Sequence, residues 1–347
     1  MTPAPPALVD VARRVETRLV EILDAERRRW RDLDPALDEP LAALSALVTA
    51  GGKRIRPAYC HWGWVAAGGD PDDPAPVEAG CALELLHAFA LAHDDVMDGS
   101  ATRRGQPTVH RRFIERHAAE GWRGEARRFG EAVAVLVGDM AMVLADRVLG
   151  PVDDPVREVW DELRSELNMG QYLDVLGTAR GGVDEEGART IVAHKTAGYT
   201  VVRPLQLGAA LAGRPDMSEP LAAHGTPLGV AFQLVDDLLG VFGDPAVTGK
   251  PVGEDLREGK PTLLLARARH FADPAQTAVL DGIGPDLDED GVAAIQQVML
   301  DTGAVAAVEA EVAQLLDRSQ AALDGLPDGP ARRALAAIAD YVVARDT

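Results

Sequence analysis

An apolar run that ends in aspartates constrains this chain more than any other feature. Cys81-Ala-Leu and Leu85-Leu86 lead into Phe89-Ala-Leu-Ala-His-Asp-Asp-Val-Met-Asp98. A helix over residues 77 to 99 puts Asp94 and Asp98 one turn apart, with Asp95 beside them and His87 two turns back on the same face. Like charges at that spacing cost a helix a few tenths of a kcal/mol per pair, so a cation is expected against them. Phe232-Gln-Leu-Val-Asp-Asp-Leu-Leu-Gly240 repeats the pattern, with Asp236 and Asp237 after an apolar run. The expectation is two buried helices whose acidic patches face each other across one cavity and hold hard divalent cations through oxygen.

The rest of the sequence is helical in character. Alanine and leucine dominate the apolar residues and β-branched alternation is rare, which predicts an all-α fold. With 347 residues, 47% of them hydrophobic, and no low-complexity linker, the reading is one domain over residues 1 to 347. It is expected to be a bundle of about ten or more antiparallel helices around a central cavity. Residues 1 to 6, Met1-Thr-Pro-Ala-Pro-Pro, lack a signal-peptide pattern and are expected to have no fixed structure.

Charge excludes several classes of partner. The net charge is −20, from 55 acidic against 35 basic residues, which argues against nucleic acid and against broad attraction to anionic membranes. No uncharged apolar run reaches about 18 residues, so no integral membrane segment is expected. Cys60 and Cys81 fall in apolar helical segments and read as reduced core residues of a cytoplasmic protein.

In so acidic a chain the basic clusters stand out. Gly51-Gly-Lys-Arg-Ile-Arg-Pro57 places two glycines before three cations, a pattern suited to clasping phosphate: bare backbone admits the oxygens, and Lys53 and Arg56 donate. A second pair, Arg103 and Arg104, lies in the loop after Asp98. Predicted helices span about 7 to 32, 54 to 67, 125 to 149, 155 to 178, 185 to 212 and 219 to 242. On their core-like faces Gly138-Asp139, Gln171 with Asp174, and Lys195-Thr196 are polar points, and a buried Lys195 needs an anion nearby. A loop rich in glycine and proline follows, with Lys250 in its first half and Lys260 at its end. Residues 262 to 347 read as amphipathic helices with caps at Asp273 and Asp288, serving as scaffold or subunit interface.

Taken in order, these segments resemble the trans-type isoprenyl (polyprenyl) diphosphate synthases, most closely the bacterial geranylgeranyl diphosphate synthases. The resemblance rests on Gly51 to Pro57, His87 to Asp98 with Arg103-Arg-Gly-Gln-Pro-Thr108, Gly170-Gln171, Lys195-Thr196, Phe232-Gln233 with Asp236-Asp237, and Lys250 to Lys260, within residues 51 to 265. It implies the isoprenoid synthase type of helical bundle. It also implies joining of an allylic diphosphate to isopentenyl diphosphate.

By similarity, magnesium ions, three per active site with substrate bound, bridge the departing diphosphate to Asp94, Asp98 and Asp236. Asp95 and Asp237 support them, and Arg103, Lys195, Lys250 and Lys260 add positive charge. The second diphosphate is expected in a metal-free basic site of Lys53, Arg56, Arg104 and His87. Thr196 and Gln233 resemble residues whose oxygens face the developing carbocation. The resemblance further implies a homodimer. One departure is Gly240, where the strict pattern has a third aspartate, although Asp244 follows a turn later; this leaves the shell of one metal less defined.

Product length in such enzymes is limited by side chains below the first acidic segment. Ala90 lies about one turn below Asp94 on nearly the same face, whereas Phe89 is rotated by about 140°. Small Ala90 leaves room beyond fifteen carbons and Phe89 stops growth soon after, so the expected product has twenty carbons, with a farnesyl product as runner-up. A class I terpene cyclase would not need Lys53, Arg56 and Arg104. A silent partner subunit would have lost aspartates or lysines that are intact here.

Overall fold

The computed structural model describes residues 3–243 and 252–344, and the all-helical expectation holds, with one small exception. The exception is a two-stranded ribbon, β1 (Thr102–Arg103) antiparallel to β2 (Gln106–Pro107). Arg104 and Gly105 turn it, both at positive φ (52° and 73°), the backbone of a tight hairpin turn. The chain divides into two compact units.

One unit comprises residues 6–61 and 69–153. It holds α1 (Pro6–Arg31), α2 (Asp38–Thr49), most of α3 (Ile55–Ala66), α4 (Ala75–Met97), α5 (Val109–Ala119) and α6 (Ala126–Leu149). Helix α1 begins at Pro6, the last residue of the segment expected to lack structure. It buries Leu8, Val11, Val15, Leu19 and Leu23, a single stripe at helical spacing. Pro40 lies in the first turn of α2, where proline's missing N–H has no intrahelical partner to lose.

Helix α4 packs along α6 and α1 and is buried on nearly every side, which is why its sequence is an apolar run and not a stripe. Of its most apolar window 72% is buried. Among the described residues it is one helix long and apolar enough to cross a membrane; the bent pair Glu289–Asp301 and Ala304–Gly325 passes the same test only if taken as one span. Fully burying one leucine side chain is worth about 1.5–3 kcal/mol, and Leu83, Leu85 and Leu86 are all fully buried.

The other unit comprises residues 3–5, 62–68 and 154–344. It contains α7 (Asp154–Ala179), α8 (Glu185–Ile191), a π-helical stretch (Val192–Val202), α9 (Arg203–Leu211) and α10 (Ser218–Phe242). Beyond these lie α11 (Glu254–Glu258), α12 (Leu263–Phe271), α13 (Pro274–Leu280), α14 (Glu289–Asp301), α15 (Ala304–Ala322) and α16 (Pro330–Val343). Helix α10 is its axis, packed on α15 and on the π-helical stretch. The Asp273 and Asp288 caps form as expected: Asp273 accepts from Ala275 N and Gln276 N, and Asp288 from Gly291 N.

The segment expected as one helix over 185 to 212 is therefore wound in two ways, and neighbouring glycines explain how the wider winding is accommodated. A Cβ on Gly170 of α7 would lie 2.5 Å from Lys195 N, and one on Gly229 of α10 would lie 2.6 Å from Ala197 Cα. Bare backbone on both neighbours lets them press against the π-helical turn. Such turns are rare and recur at functional sites.

Candidate active site

The first acidic segment ends α4. Asp98 caps the helix with its N–H on the Asp94 carbonyl, 2.8 Å away. Asp95 is fully buried and accepts from Arg103 Nε at 2.6 Å, while Arg103 Nη2 reaches Asp94 Oδ2 at 3.4 Å. The carboxylates of Asp95 and Asp94 outweigh burial and raise the Arg103 pKa above its ordinary value. Arg103, expected as a donor to substrate, thus serves first as the cation held against the aspartates.

The basic clasp lies in the same unit. Arg104 donates to the Gly51 carbonyl and its guanidinium lies 3.1 Å from where a side chain on Gly52 would begin. Lys53 is exposed and Arg56 half-buried. His87 is pushed well below its ordinary pKa, first by burial, then by Arg56, Arg104, Arg103 and Arg54. Arg104 is itself pushed down by burial and by Arg54. Cations that depress one another's protonated forms mark a place where an anion is favoured. Arg56, Arg104 and His87 therefore share a basic environment.

Arg54 has a different task. It sits at φ 49° and is buried, bonded to Glu84 of α4 by Nη1 (2.5 Å), to Glu16 of α1 by Nε (3.2 Å) and to the Val48 carbonyl by Nη2 (2.7 Å). Sequence reasoning missed this anchor. Glu84 was its signal, a carboxylate in an otherwise apolar run, but its partner lies 30 residues away.

Phe89 is buried and meets His93 edge-on, ring centroids 4.7 Å apart. His93 Nε2–H donates to the Val135 carbonyl at 3.0 Å, and a Cβ on Gly138 of α6 would lie 2.4 Å from the His93 ring. The two rings are thus fixed against α6, while Ala90 beside them is half-buried.

The second acidic segment lies in the other unit, on α10. Thr196 Oγ1 donates to Gln233 Oε1 at 2.6 Å, and Gln233 Nε2 donates to Asp237 Oδ1 at 2.7 Å. This chain fixes the Gln233 amide so that its oxygen faces Thr196. Asp237 is 3% exposed and its Oδ2 has no hydrogen-bond partner. Burial, with Asp255 and Asp236 adding to it, pushes its pKa up to about 8. Asp236 is half-buried.

Lys195 Nζ donates to Asp174 Oδ2 at 2.7 Å, so the anion its burial calls for is Asp174, one of the polar points on α7. Lys260 Nζ contacts Asp255 Oδ1 at 3.2 Å and Glu258 Oε2 at 2.9 Å. Lys250 and Asp244 lie outside the described residues.

Oxygen donors of this kind suit a hard divalent ion, and the orphaned buried oxygen of Asp237 is a group that a hydrated cation would satisfy. Among the described residues no set of three His, Cys, Asp or Glu side chains is gathered as a metal cage.

Comparison with known proteins accords with these features. The polyprenyl synthetase family model matches residues 38–299. The chain is 32% identical over 344 residues to a geranylgeranyl diphosphate synthase of Methanosarcina mazei, covering 94% of this chain and 99% of that protein. It is 37% identical over 260 residues to one of Mycobacterium tuberculosis, covering 70% of this chain and 69% of that protein. Among solved structures, geranylgeranyl pyrophosphate synthase of Corynebacterium glutamicum, complexed with isoprenyl diphosphate and magnesium, superposes with a TM-score of 0.91 at 39% identity, covering 96% of this chain and 98% of that one. A Caulobacter crescentus polyprenyl synthase, complexed with calcium and isoprenyl diphosphate, gives 0.77 at 29% identity, covering 95% and 97%.

Proposed function

From the premise that this chain belongs to the polyprenyl synthetase family and is a prenyltransferase, we propose that it condenses isopentenyl diphosphate with allylic diphosphates to give geranylgeranyl diphosphate. The observation that carries this reading is the sorting of charge. His87 feels four arginines, whereas Asp237 feels Asp255 and Asp236. One environment suits a diphosphate that must remain bonded to its carbon, and the other suits a diphosphate that must leave with its charge neutralised by metal.

A divalent cation is the cofactor; we take it to be magnesium, three ions per active site, held by Asp94, Asp98 and Asp236. When bound it supplies the positive charge that stabilises the departing diphosphate. Lys195, Lys250 and Lys260 add to that charge, and Arg103 orients Asp94 and Asp95 through the bonds it makes to them. Lys53, Arg56, Arg104 and His87 hold isopentenyl diphosphate without metal. The allylic carbon–oxygen bond breaks, the homoallylic double bond attacks the cation, and a proton is lost, for which the released diphosphate is the acceptor. Thr196 and Gln233, locked to one another, present fixed oxygen dipoles toward the developing positive charge.

Phe89 supports a twenty-carbon limit, because its ring has His93 behind it and cannot swing aside. A farnesyl product is the second reading, and a Mycobacterium bovis relative 35% identical to this chain bears that name. Leu136 and Val143 on α6, and Met169 and Tyr172 on α7, are 62% exposed. These apolar faces support a homodimer, and the buried thiols of Cys60 and Cys81 support a cytoplasmic setting.

The test is incubation with isopentenyl diphosphate, magnesium and each of dimethylallyl, geranyl and farnesyl diphosphates, followed by chromatography of the dephosphorylated products. Geranylgeraniol is the expected product. Farnesol alone would overturn the assigned length, and no product from any primer would overturn the activity.

A further inference from the structure

Lys195 and Thr196 sit on the π-helical stretch Val192–Val202, so whatever holds that winding also aims them. Its far end is closed by Arg203, whose backbone N–H donates to the carbonyl of Gly198, the i→i+5 bond of a π turn. Pro204 follows and has no N–H, so the ladder is interrupted directly after Arg203.

The Arg203 side chain ties this turn to α7. Nε donates to Glu166 Oε2 at 2.9 Å and Nη2 to Glu166 Oε1 at 2.5 Å, a two-pronged pair that fixes direction as well as distance. Nη1 donates to Gln206 Oε1 on α9 at 3.0 Å. Both members of the pair are half-buried. Glu166 comes this near because residue 198 has no side chain: a Cβ on Gly198 would lie 3.1 Å from Glu166 Oε2. The same glycine thus accepts the π-type bond and leaves room for the carboxylate. We propose that Glu166 and Arg203 are a positioning pair, fastening the end of the π-helical stretch to α7 and so holding Thr196 against Gln233.

The stretch meets α7 through two ion pairs, Lys195 with Asp174 and Arg203 with Glu166. Asp174 and Glu166 lie about two turns apart on α7, and Gly170, midway between them, presses on the Lys195 backbone. Lys195 is assigned to the departing diphosphate, and an ammonium on a flexible stem that serves substrate is a poor clamp, which leaves Arg203 as the fixed one. Were the turn before Arg203 to close on i→i+4 bonds instead, the residues ahead of it would shift by one position, about 100° around the helix axis. Thr196 Oγ1 would then leave Gln233 Oε1, which it now meets at 2.6 Å. This inference rests on the role proposed for Thr196, and its test separates the two.

The experiment is a double-mutant cycle in steady-state kinetics on the full-length protein, with isopentenyl diphosphate, magnesium and the allylic primer that gives the highest turnover. Arg203→Met is expected to lower kcat about tenfold to a hundredfold while leaving KM for isopentenyl diphosphate within about threefold. Glu166→Gln keeps the volume of the carboxylate and is expected to lower kcat in the same way. Glu162→Gln is the control: its carboxylate lies 3.9 Å from the same guanidinium and is mostly exposed, so kcat should stay within about threefold of wild type. Thr196→Ala is expected to lower kcat about a hundredfold. Arg203→Met combined with Thr196→Ala should fall within about threefold of the slower single variant, because a misaimed hydroxyl has little left to lose. A pair that only stabilised the fold would multiply the two losses. Amide hydrogen exchange over residues 192–203 reads the winding without turnover, and should quicken at least about tenfold in Arg203→Met and stay at the wild-type rate in Glu162→Gln. Thr196→Ala with wild-type kcat would overturn the role of Thr196 beneath this inference. A loss in Thr196→Ala beside wild-type kcat and exchange in both Arg203→Met and Glu166→Gln, or multiplied losses in the double variant, would overturn this inference alone.

Discussion

Gly170→Ala is a small change with a large expected effect. The new Cβ would lie 2.5 Å from Lys195 N and 2.7 Å from Lys195 Cα, where ordinary contact begins at 3.4 Å. Backbone atoms cannot rotate away, so α7 and the π-helical stretch must separate by about 1 Å to restore contact distance. Overpacking of this kind costs about 1–3 kcal/mol of stability. The displaced residue is Lys195, bonded to Asp174 on α7 itself, and if Lys195 has the role proposed for it, a misplacement of about 1 Å lowers the rate about a hundredfold. Gly177→Ala on the same helix is the control, because its Cβ would meet only side chains, of Pro261 and Val183, at 3.0 Å. Steady-state kinetics and urea unfolding on both variants are the assay. The account expects kcat to fall about a hundredfold in Gly170→Ala and less than about threefold in Gly177→Ala. A Gly170→Ala enzyme with wild-type kcat and stability would refute the claim that bare backbone at 170 sets the position of Lys195.

Phe89→Ala should lengthen the product by at least one isoprene unit, read by chromatography; an unchanged product would place the limit elsewhere than the Phe89–His93 pair. Glu84→Gln leaves the buried Arg54 guanidinium without its main anion and should cost about 3–5 kcal/mol in urea unfolding, whereas replacing both residues by apolar ones should cost less than either single change. His61 is held at about 4 against an ordinary 6.5, first by burial and then by Arg14. The unfolded chain therefore binds the proton first as pH falls, and the folded state loses stability between pH 6.5 and 4. Between pH 7.5 and 5 the wild type should lose about 2 kcal/mol more than His61→Gln, and equal losses would refute the assignment.

The acidic segment was legible because its chemistry is local: Asp94 and Asp98 share a helix face by spacing alone, whereas the bare backbone of Gly51-Gly52 receives the Arg104 guanidinium from a distant loop. Helix ends were legible for the same reason at Asp273 and Asp288. What the sequence hid was pairing at a distance. Arg54 looked like one more cation of the clasp, yet Glu84 and Glu16 claim it. Gly240 gave no sign that the Asp255 carboxylate lies against it. The π-helical winding over Val192–Val202 was hidden too, since an apolar pattern reports a helix and not its pitch. Helix α5 escaped notice although Val109, His110, Phe113 and His117 are its buried face, because arginines and histidines made that stripe read as polar.

The account stands most directly on the separation of a metal-dependent diphosphate from a metal-free one. Calorimetric titration of the enzyme with isopentenyl diphosphate, and with a non-ionisable allylic diphosphate analogue, each in magnesium and in excess chelator, measures it. The expected result is isopentenyl diphosphate affinity within about threefold in the two conditions, lost on Lys53→Ala or Arg56→Ala, with analogue affinity lower by about a hundredfold or more in chelator. Equal dependence of both ligands on magnesium would contradict it.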